Sequence, residues 1–280
     1  MCEFCHKHGD GKKWYLQARN YSADLLNDER RRRIVRETLL DASALTDGFR
    51  QLDRLEGAPE SVQRTVKALA SRRMKRDHFG QVVPIDDVAA ILELVNSVVQ
   101  VPCVCRYAAT HREVGYCYGI TIDGAGQWQD LLAPPPGKAA DGPSFSEVQQ
   151  LSAAEALAQI RGYEKDGLCH TVWTFGTPFI GGLCNCDRVD CLAMQATVQR
   201  GVKAFFRAEY VAEIDADACT GCRSCMRLCQ FGALGYGALN AKAQVDQRAC
   251  YGCGVCRAAC SKEAIRLRPR SETPVAARLW

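Results

Sequence analysis

The sequence has no long run of apolar residues. Its most apolar stretch, residues 88–101, is interrupted by Glu93, Asn96 and Gln100, whereas a helix that crosses a bilayer needs about 20 consecutive, mostly apolar residues. The opening residues, MCEFCHKHGDGKKWYLQ, also lack the apolar segment of a secretory signal. We therefore expect a soluble, cytoplasmic protein with no transmembrane segment.

Glycine motifs for nucleotides and a strong charge imbalance are also missing. No G-x-G-x-x-G follows a predicted strand and no G-x-x-x-x-G-K-[ST] occurs, so neither kind of phosphate-binding loop is indicated. With 36 basic and 32 acidic residues, the net charge of +4 does not imply a nucleic acid or a membrane surface as partner.

The basic run at residues 30–33 is either a solvated helix face or a nucleic-acid patch. No aromatic residues interleave with it, which favours the solvated face.

Cysteine, in contrast, is abundant. The 17 cysteines are odd in number, so they cannot all pair as disulfides. In a reducing compartment, dense cysteine usage indicates metal ligation rather than disulfide bonds. The composition is otherwise ordinary for a globular protein, with 47% hydrophobic and 24% charged residues. We therefore expect a metal-bearing protein.

The predicted secondary structure mixes helices and strands without a regular βαβ repeat, so the predicted fold class is α+β. Helices are predicted over residues 22–41, 59–75, 85–99, 152–167 and 192–199, and strands over residues 116–122 and 170–175. A glycine-rich loop is predicted to deliver Cys184, Cys186 and Cys191. The predicted domains are a helical and mixed cysteine-rich domain at residues 1–207, a second domain at 208–268 and a basic tail at 269–280.

An internal repeat with an offset of 31 residues dominates the second domain. Each half reads C-x-x-C-x-x-C-x-x-x-C, a run that ligates iron–sulfur clusters. The halves contain Cys219, Cys222, Cys225 and Cys229, and Cys250, Cys253, Cys256 and Cys260. Small residues such as Gly221, Gly252 and Gly254 permit unusual dihedral angles, and backbone amides can then donate hydrogen bonds to the sulfurs. Zinc sites usually use two C-x-x-C pairs across a longer gap, so the matched runs favour iron–sulfur clusters.

These runs make residues 208–268 similar to a bacterial-type ferredoxin with two 4Fe–4S clusters. The resemblance implies a pseudo-symmetric, ferredoxin-like domain of two short hairpins and two short helices. It also implies that each cluster takes its fourth ligand from the other half. One cluster would be held by Cys219, Cys222, Cys225 and Cys260, and the other by Cys250, Cys253, Cys256 and Cys229. Proline usually follows the fourth cysteine in this family, whereas this chain has Gln230 and Ser261, so we expect a changed local potential rather than a lost cluster.

Five further cysteines form two widely separated groups upstream. They are Cys103, Cys105, Cys184, Cys186 and Cys191. Cysteines spaced two residues apart on loops pack poorly in a core but converge well as ligands, which favours a third iron–sulfur cluster. A zinc site, and reduced structural or redox-active thiols, stay open as alternatives. Cys117 and Cys169 lie in apolar, strand-like contexts and are interpreted as small core residues.

The N-terminus holds one more candidate metal site. Cys2, Cys5 and His6 match C-x-x-C-H, the pattern of c-type haem attachment. Haem attachment normally needs export, so haem is not expected. The alternatives are a zinc or iron site at these residues and a frayed terminus with unliganded thiols.

Three functions are compatible with these motifs. The favoured one is an iron–sulfur electron-transfer protein, or a subunit of an anaerobic redox complex, that exchanges single electrons with a redox partner protein through two or three clusters. The second is a ferredoxin-linked reductase whose upstream cysteines, near Arg106 and Asp187, hold a catalytic iron–sulfur or thiol site. The third is an iron–sulfur regulatory sensor that binds nucleic acid through residues 30–33. The sequence favours an electron-transfer component over a complete enzyme.

Overall fold

The computed structural model describes residues 13–77, 80–122, 126–133, 141–146 and 148–279. Its helices are α1 (Ala23–Leu26), α2 (Glu29–Leu40), α3 (Ser43–Leu55), α4 (Glu60–Asp77), α5 (Ile85–Leu94), α6 (Val104–Thr110), α7 (Gly126–Leu132), α8 (Ala153–Lys165), α9 (Leu192–Val198), α10 (Ser224–Leu228) and α11 (Val255–Ala258). Within these described ranges, no helix is long and apolar enough to cross a membrane.

A six-stranded antiparallel sheet forms the centre of the first 207 residues. Its strands are β1 (Gly80–Val82), β2 (Ser97–Val101), β3 (Cys117–Thr121), β4 (Gln149–Leu151), β5 (Cys169–Thr174) and β6 (Ile180–Cys186). They are arranged in the order β1-β5-β6-β3-β2-β4. Cys184 lies opposite Cys117 on one side, and Cys186 lies opposite Cys169 on the other. The register of three adjacent strands therefore brings their cysteines close together.

The two faces of this sheet have different environments. Side chains alternate between the faces along each strand. Tyr118, Val172 and Leu183 belong to the apolar core that the sheet forms with helices α5 and α8. Cys117 and Cys184 are their chain neighbours, so they project from the opposite face.

The helix starts follow the capping signals in the sequence. The Ser22 hydroxyl oxygen accepts a hydrogen bond from the backbone N–H of Asp24 at the start of α1, and Ser152 and Glu155 form a complete capping box on α8. The helix predicted over residues 22–41 is nevertheless divided. Asp28 is extended and caps a separate helix, α2, through the N–H of Arg31.

Two predicted elements differ in the structure. The helix predicted over residues 85–99 ends at Leu94, and the β-branched residues that follow form β2, where their burial on the sheet outweighs the helical spacing. The stretch predicted as a glycine-rich loop forms β6 instead. A Cβ atom at Gly181 would lie 2.6 Å from the Phe179 ring, so glycine here permits close packing within a strand. Cys184 and Cys186 consequently lie on a strand.

The C-terminal part contains two pairs of short strands and two short helices. β7 (Tyr210–Ile214) pairs with β10 (Ile265–Pro269), and β8 (Leu234–Gly237) pairs with β9 (Lys242–Val245), both antiparallel. Helices α10 and α11 precede β8 and β10 respectively. The chain thus combines helices and strands as the predicted α+β class requires.

Residues 269–279 pack on this C-terminal part, whereas the sequence predicted a basic tail. Arg270 is buried, and its guanidinium forms an ion pair with Glu209 at 3.1 Å. The carboxylate offsets the cost of removing the positive charge from water. Ala276 is fully buried in the same apolar core as Val211 and Ile265. The segment is therefore part of the folded domain.

Candidate iron–sulfur and thiol sites

Four of the eight repeat cysteines line one small cavity of about 20 Å³ in the C-terminal part. They are Cys219, Cys222, Cys225 and Cys260. The first three come from the start of α10 and the loop before it, and the fourth follows α11. Ile214, Ala243 and Ile265 complete the lining with apolar surface. We refer to this cavity as the outer site.

The other four repeat cysteines line a second cavity, also of about 20 Å³. They are Cys229, Cys250, Cys253 and Cys256. Leu234, Val245 and Phe231 supply apolar lining. Each cavity thus contains three cysteines from one run and one from the other, which is the interlocked arrangement that the ferredoxin resemblance implies. We refer to this cavity as the inner site.

Two glycines allow the cysteine loops to approach neighbouring backbone. Gly221 and Gly252 have φ angles of +69° and +71°, a region that residues with a Cβ atom rarely adopt. A Cβ at Gly221 would lie 2.0 Å from the carbonyl oxygen of Ala241, and one at Gly252 would lie 2.1 Å from that of Tyr210. No other residue type fits either loop without moving the backbone.

Backbone N–H groups donate hydrogen bonds to the cysteine sulfurs of both runs. Ala233 donates to Cys229 Sγ at 3.3 Å, and Ala264 donates to Cys260 Sγ at 3.4 Å. These two pairs occupy matching positions of the repeat. The N–H groups of Ala212 and Gly252 both donate to Cys250 Sγ at 3.4 Å. Four thiols with amide donors around a small cavity fit a thiolate-ligated 4Fe–4S cluster at each site.

The outer and inner sites differ in exposure. Cys222 of the outer site is exposed, and hydrogen bonding from the backbone N–H of Ser224 lowers the pKa of its thiol. Cys250, Cys253 and Cys256 of the inner site are buried, and burial raises the pKa of Cys250 to about 11. The outer site therefore lies at the protein surface, while the inner site lies against the N-terminal domain.

Six cysteines of the N-terminal domain gather at another position, and we call them the upstream thiol group. They are Cys103, Cys105, Cys117, Cys184, Cys186 and Cys191, all of which line one cavity. The Sγ atoms of Cys103 and Cys117 are 3.2 Å apart, and Cys117 also hydrogen-bonds to Cys184. All five cysteines predicted as upstream ligands are therefore brought together. Cys117 joins them, although its strand-like context had indicated a core residue; its pairing with Cys184 depends on a strand register that the sequence does not display.

Helix starts and strand ends position this group. Cys103 and Cys191 are the N-cap residues of α6 and α9, and Cys105 lies in the first turn of α6. Cys117 begins β3 and Cys186 ends β6. The backbone N–H of Tyr116 donates to Cys103 Sγ at 3.1 Å. The group is thus held by regular secondary structure, which favours fixed sulfur positions.

Arg106 is the buried cation of the upstream thiol group. Only 1% of its side chain is exposed, and it forms ion pairs with Asp187 and, at 2.5 Å, with Asp190. Its guanidinium also donates to the carbonyl oxygen of Asn185 at 3.0 Å and contacts Cys103 Sγ at 3.6 Å. Burial raises the pKa of Cys103, and the positive charge of Arg106 opposes that effect.

The thiols of this group differ in their acidity. Hydrogen bonds from Cys105 and Cys186 lower the pKa of Cys191 well below its ordinary value. The same hydrogen bonds raise the pKa of Cys105 and of Cys186. Cys191 is thus the favoured thiolate, and a thiolate is the form of cysteine that binds metals.

The spacing of these side chains bears on the kind of metal centre. Across the described part of the chain, no three His, Cys, Asp or Glu side chains are arranged to hold a single metal ion. A tetrahedral zinc site needs sulfurs about 3.8 Å apart around one point, given Zn–S bonds of about 2.3 Å. The cysteines of the outer and inner sites are likewise not arranged around a single metal ion. Their side chains line a cavity at each site.

Cys169 lies between the inner site and the upstream thiol group. Its thiol interacts with that of Cys253 in the inner site and lowers the pKa of Cys253, while it donates a hydrogen bond to the carbonyl oxygen of His170 at 3.8 Å. Cys169 also faces Cys186 across the β5–β6 pair. The three cysteines belong to one apolar core. The sequence indicated only a buried residue at Cys169; the contact with Cys253 depends on the packing of the two domains.

A large apolar cavity of about 490 Å³ adjoins the upstream thiol group. Helices α3 and α4 contribute Phe49, Leu52 and Met74 to its lining, and the sheet and the segment after it contribute Trp173 and Phe175. This volume is in the range of small-molecule binding sites. The sequence pattern gave no indication of this cavity, since it is formed by elements far apart in the chain.

Two other predicted sites have different outcomes. Cys2, Cys5 and His6 lie outside the described residues. Arg31, in the middle of the basic run, donates from Nε to the carbonyl oxygen of Gly176 at 2.9 Å and therefore contributes to internal packing. This contact does not favour a nucleic-acid patch at residues 30–33.

Comparison with known families identifies the C-terminal part alone. Residues 212–261 match the family model described as a 4Fe-4S dicluster domain. All eight repeat cysteines fall inside the match, which supports an iron–sulfur, electron-transfer role for this part of the chain. None of the curated proteins matches the sequence.

Proposed function

We propose that this chain is a cytoplasmic iron–sulfur electron-transfer protein, or a subunit of an anaerobic redox complex, with two 4Fe–4S clusters in its C-terminal domain. The observation that carries the proposal is the pair of four-cysteine cavities within the residues that match a dicluster domain. The outer site would use Cys219, Cys222, Cys225 and Cys260, and the inner site would use Cys250, Cys253, Cys256 and Cys229. When bound, such clusters supply one-electron oxidation and reduction.

The chain's own residues would set the environment of each cluster. Backbone N–H groups stabilise negative charge on the sulfurs, and the inner site has such donors on Cys250 and Cys229. Apolar residues such as Val245 and Ile265 keep water away from the two sites. Burial and hydrogen bonding both tune the potential of an iron–sulfur centre, so we expect the two sites to have different potentials.

We further propose that the upstream thiol group holds a third iron–sulfur cluster. Six thiols line one cavity, the Sγ atoms of Cys103 and Cys117 are 3.2 Å apart, and Cys191 is favoured as a thiolate. Arg106 contributes a buried positive charge beside them, which compensates negative charge on the ligands. Since a 4Fe–4S cluster takes four thiolates, two of the six cysteines would remain as free thiols next to it. Zinc and reduced thiols without a metal are the competing assignments.

The order of the sites supports electron transfer from the surface toward the interior. Cys222 is exposed, so a redox partner protein can approach the outer site closely. The inner site is buried and contacts Cys169, which faces Cys186 of the upstream thiol group. Two stacked rings, those of Phe231 and Tyr251, also line the inner site. Their ring centroids are separated by 4.1 Å. The three sites therefore form a continuous series through the protein.

A second function, a ferredoxin-linked reductase, is favoured by one observation. The upstream thiol group forms part of the wall of the 490 Å³ apolar cavity. An electron-transfer centre needs no such space beside it, whereas a reductase needs room for a substrate. In this alternative, the upstream thiol group would be the catalytic site.

Electron paramagnetic resonance of the anaerobically purified protein tests the proposed function. After reduction with dithionite, we expect signals of reduced 4Fe–4S clusters that interact magnetically. Cys253→Ser should alter the signal of the inner site, whereas Ser97→Ala, which changes a buried residue on β2, should leave the spectrum unchanged. A reduced protein without any iron–sulfur signal would contradict the proposal.

A further inference from the structure

The cavity beside the upstream thiol group is far larger than the two cysteine-lined cavities of the C-terminal domain. Its volume is about 490 Å³, against about 20 Å³ for the outer site and the same for the inner site. The chain's own four-cysteine cavities indicate how little open volume the fold leaves where a 4Fe–4S cluster belongs. A third cluster on the upstream thiols would therefore fill only a small part of this cavity, which leaves room for a second molecule.

The part of the cavity away from the thiols is apolar. Helix α3 contributes Leu45, Phe49, Leu52 and Leu55. These residues follow helical spacing, so they form one apolar stripe. No residue of α3 is fully buried; Leu45, Phe49 and Leu52 pack against the neighbouring cores with only part of their surface. The apolar area that the stripe still exposes in the cavity is costly to leave against water, and a bound apolar molecule would cover it.

The cavity offers no free charge to a ligand. Apart from the cysteines of the upstream thiol group, Arg106 alone is charged among the described residues that line it, and its guanidinium is occupied by Asp187, Asp190 and the carbonyl oxygen of Asn185. Outside the cysteines, the remaining polar side-chain groups of the lining belong to Thr38, Gln51 and the indole rings of Trp128 and Trp173, and the Trp173 N–H already donates to Thr171. A charged ligand would lose its hydration without gaining a partner.

From these three observations we infer that the cavity binds a neutral, predominantly apolar organic molecule directly against the upstream thiol group. This inference rests on the reductase form of the proposed function, for which it names the substrate class. Aromatic lining residues such as Phe49, Trp173 and Phe175 favour a flat ring as the ligand.

Equilibrium dialysis of the anaerobically purified protein tests this inference with two probes that share one ring system. 1-Naphthol is neutral at pH 7, and 1-naphthalenesulfonate carries a negative charge. We expect saturable binding of 1-naphthol and binding of the sulfonate that is at least about tenfold weaker, because the cavity would leave its charge unpaired. Equal binding of both probes, or of neither, would overturn the inference.

A pair of glycine variants locates the bound probe. Gly48 lies on α3 at the cavity, and Gly162 lies on α8 away from it; an added Cβ meets nothing within 4 Å at either position. Gly48→Phe should reduce 1-naphthol affinity at least about tenfold by occupying the cavity, while Gly162→Phe should leave it unchanged. Unchanged affinity in Gly48→Phe would place the probe elsewhere and overturn the inference.

Iron and acid-labile sulfide determined on the same samples separate this inference from the proposed function. A protein with its full iron content that binds no 1-naphthol contradicts the cavity ligand alone. A protein without iron contradicts the proposed function, whatever the dialysis shows.

Discussion

The thiol of Cys169, on a strand of the N-terminal domain, interacts with that of Cys253 in the inner site of the C-terminal domain and lowers the pKa of Cys253. Both side chains are buried in one apolar core that also contains Cys186 and Cys191. This contact joins the inner site to the upstream thiol group. It also gives the N-terminal domain a direct influence on a cysteine that we assign as a cluster ligand.

Removal of the Cys169 thiol should lower the reduction potential of the inner site. Polar groups beside ligand sulfurs stabilise the more negative, reduced form, and Cys169→Ala removes the thiol that lowers the pKa of Cys253. We expect a fall of up to roughly 60 mV, because such a contact contributes at most about as much as one hydrogen bond, about 0.5–1.5 kcal/mol, and 59 mV corresponds to a tenfold change for one electron. A redox titration followed by electron paramagnetic resonance measures the shift. Ser97→Ala serves as the control, and an unchanged inner-site potential in Cys169→Ala would show that the contact has no electronic effect.

Gly252→Ala should prevent the inner site from forming correctly. The new Cβ would lie 2.1 Å from the carbonyl oxygen of Tyr210, and the φ angle of +71° is unfavourable for alanine. We expect a loss of stability above about 2 kcal/mol, together with a loss of iron. Gly235→Ala is the matched control, because an added Cβ there meets nothing within 4 Å. Thermal unfolding and iron content check both variants, and equal behaviour of the two would contradict the structural account.

Gln230 explains one of the two missing prolines of the ferredoxin pattern. Its side chain accepts a hydrogen bond from the N–H of Arg188 at 3.0 Å and donates to the carbonyl oxygen of Gly167 at 2.7 Å. Both partners lie in the N-terminal domain, so Gln230 connects the two domains next to Cys229. Proline at this position could not form either contact.

Gln230→Pro should therefore destabilise the protein although it restores the usual residue of the family. The loss of two hydrogen bonds predicts a cost of about 1–3 kcal/mol, visible as a lower unfolding temperature at unchanged iron content. Ser261→Pro is the matched variant in the other half of the repeat, where the side chain is exposed, and we expect little change. Equal effects of the two substitutions would argue against the connecting role of Gln230.

Replacement of Arg106 should destabilise the N-terminal domain. Arg106→Met leaves Asp187 and Asp190 without their buried cation, and breaking a buried ion pair costs about 3–5 kcal/mol. Arg266→Ala, which removes an exposed pair with Asp215, should cost less than about 1 kcal/mol. Urea unfolding measured on both variants compares the two costs. A small effect at Arg106 would show that its charge is not essential to the fold.

The sequence predicted local features of this fold well where a short stretch determines the structure. The capping box at Ser152 and Glu155 was correct because it depends on residues within a single turn. The repeat likewise predicted which residues would resemble a ferredoxin, and residues 212–261 match a 4Fe-4S dicluster domain.

Features that depend on packing between distant segments were not predictable from the pattern. The helix predicted over residues 85–99 ended early because β2 pairs with strands on both sides. The membership of Cys117 in the upstream thiol group follows from its pairing with Cys184 across two strands. The contact between Cys169 and Cys253 requires both domains to be folded. Such relationships have no signal in the local sequence.

Determination of iron, acid-labile sulfide and zinc in the anaerobically purified protein tests the central claim most directly. The claim is that the outer site, the inner site and the upstream thiol group each hold a 4Fe–4S cluster. It predicts about twelve irons and about twelve sulfides per chain, four for each cluster, with no stoichiometric zinc. About eight irons per chain, with or without one zinc, would contradict the third centre, and a protein with almost no iron would contradict the account as a whole.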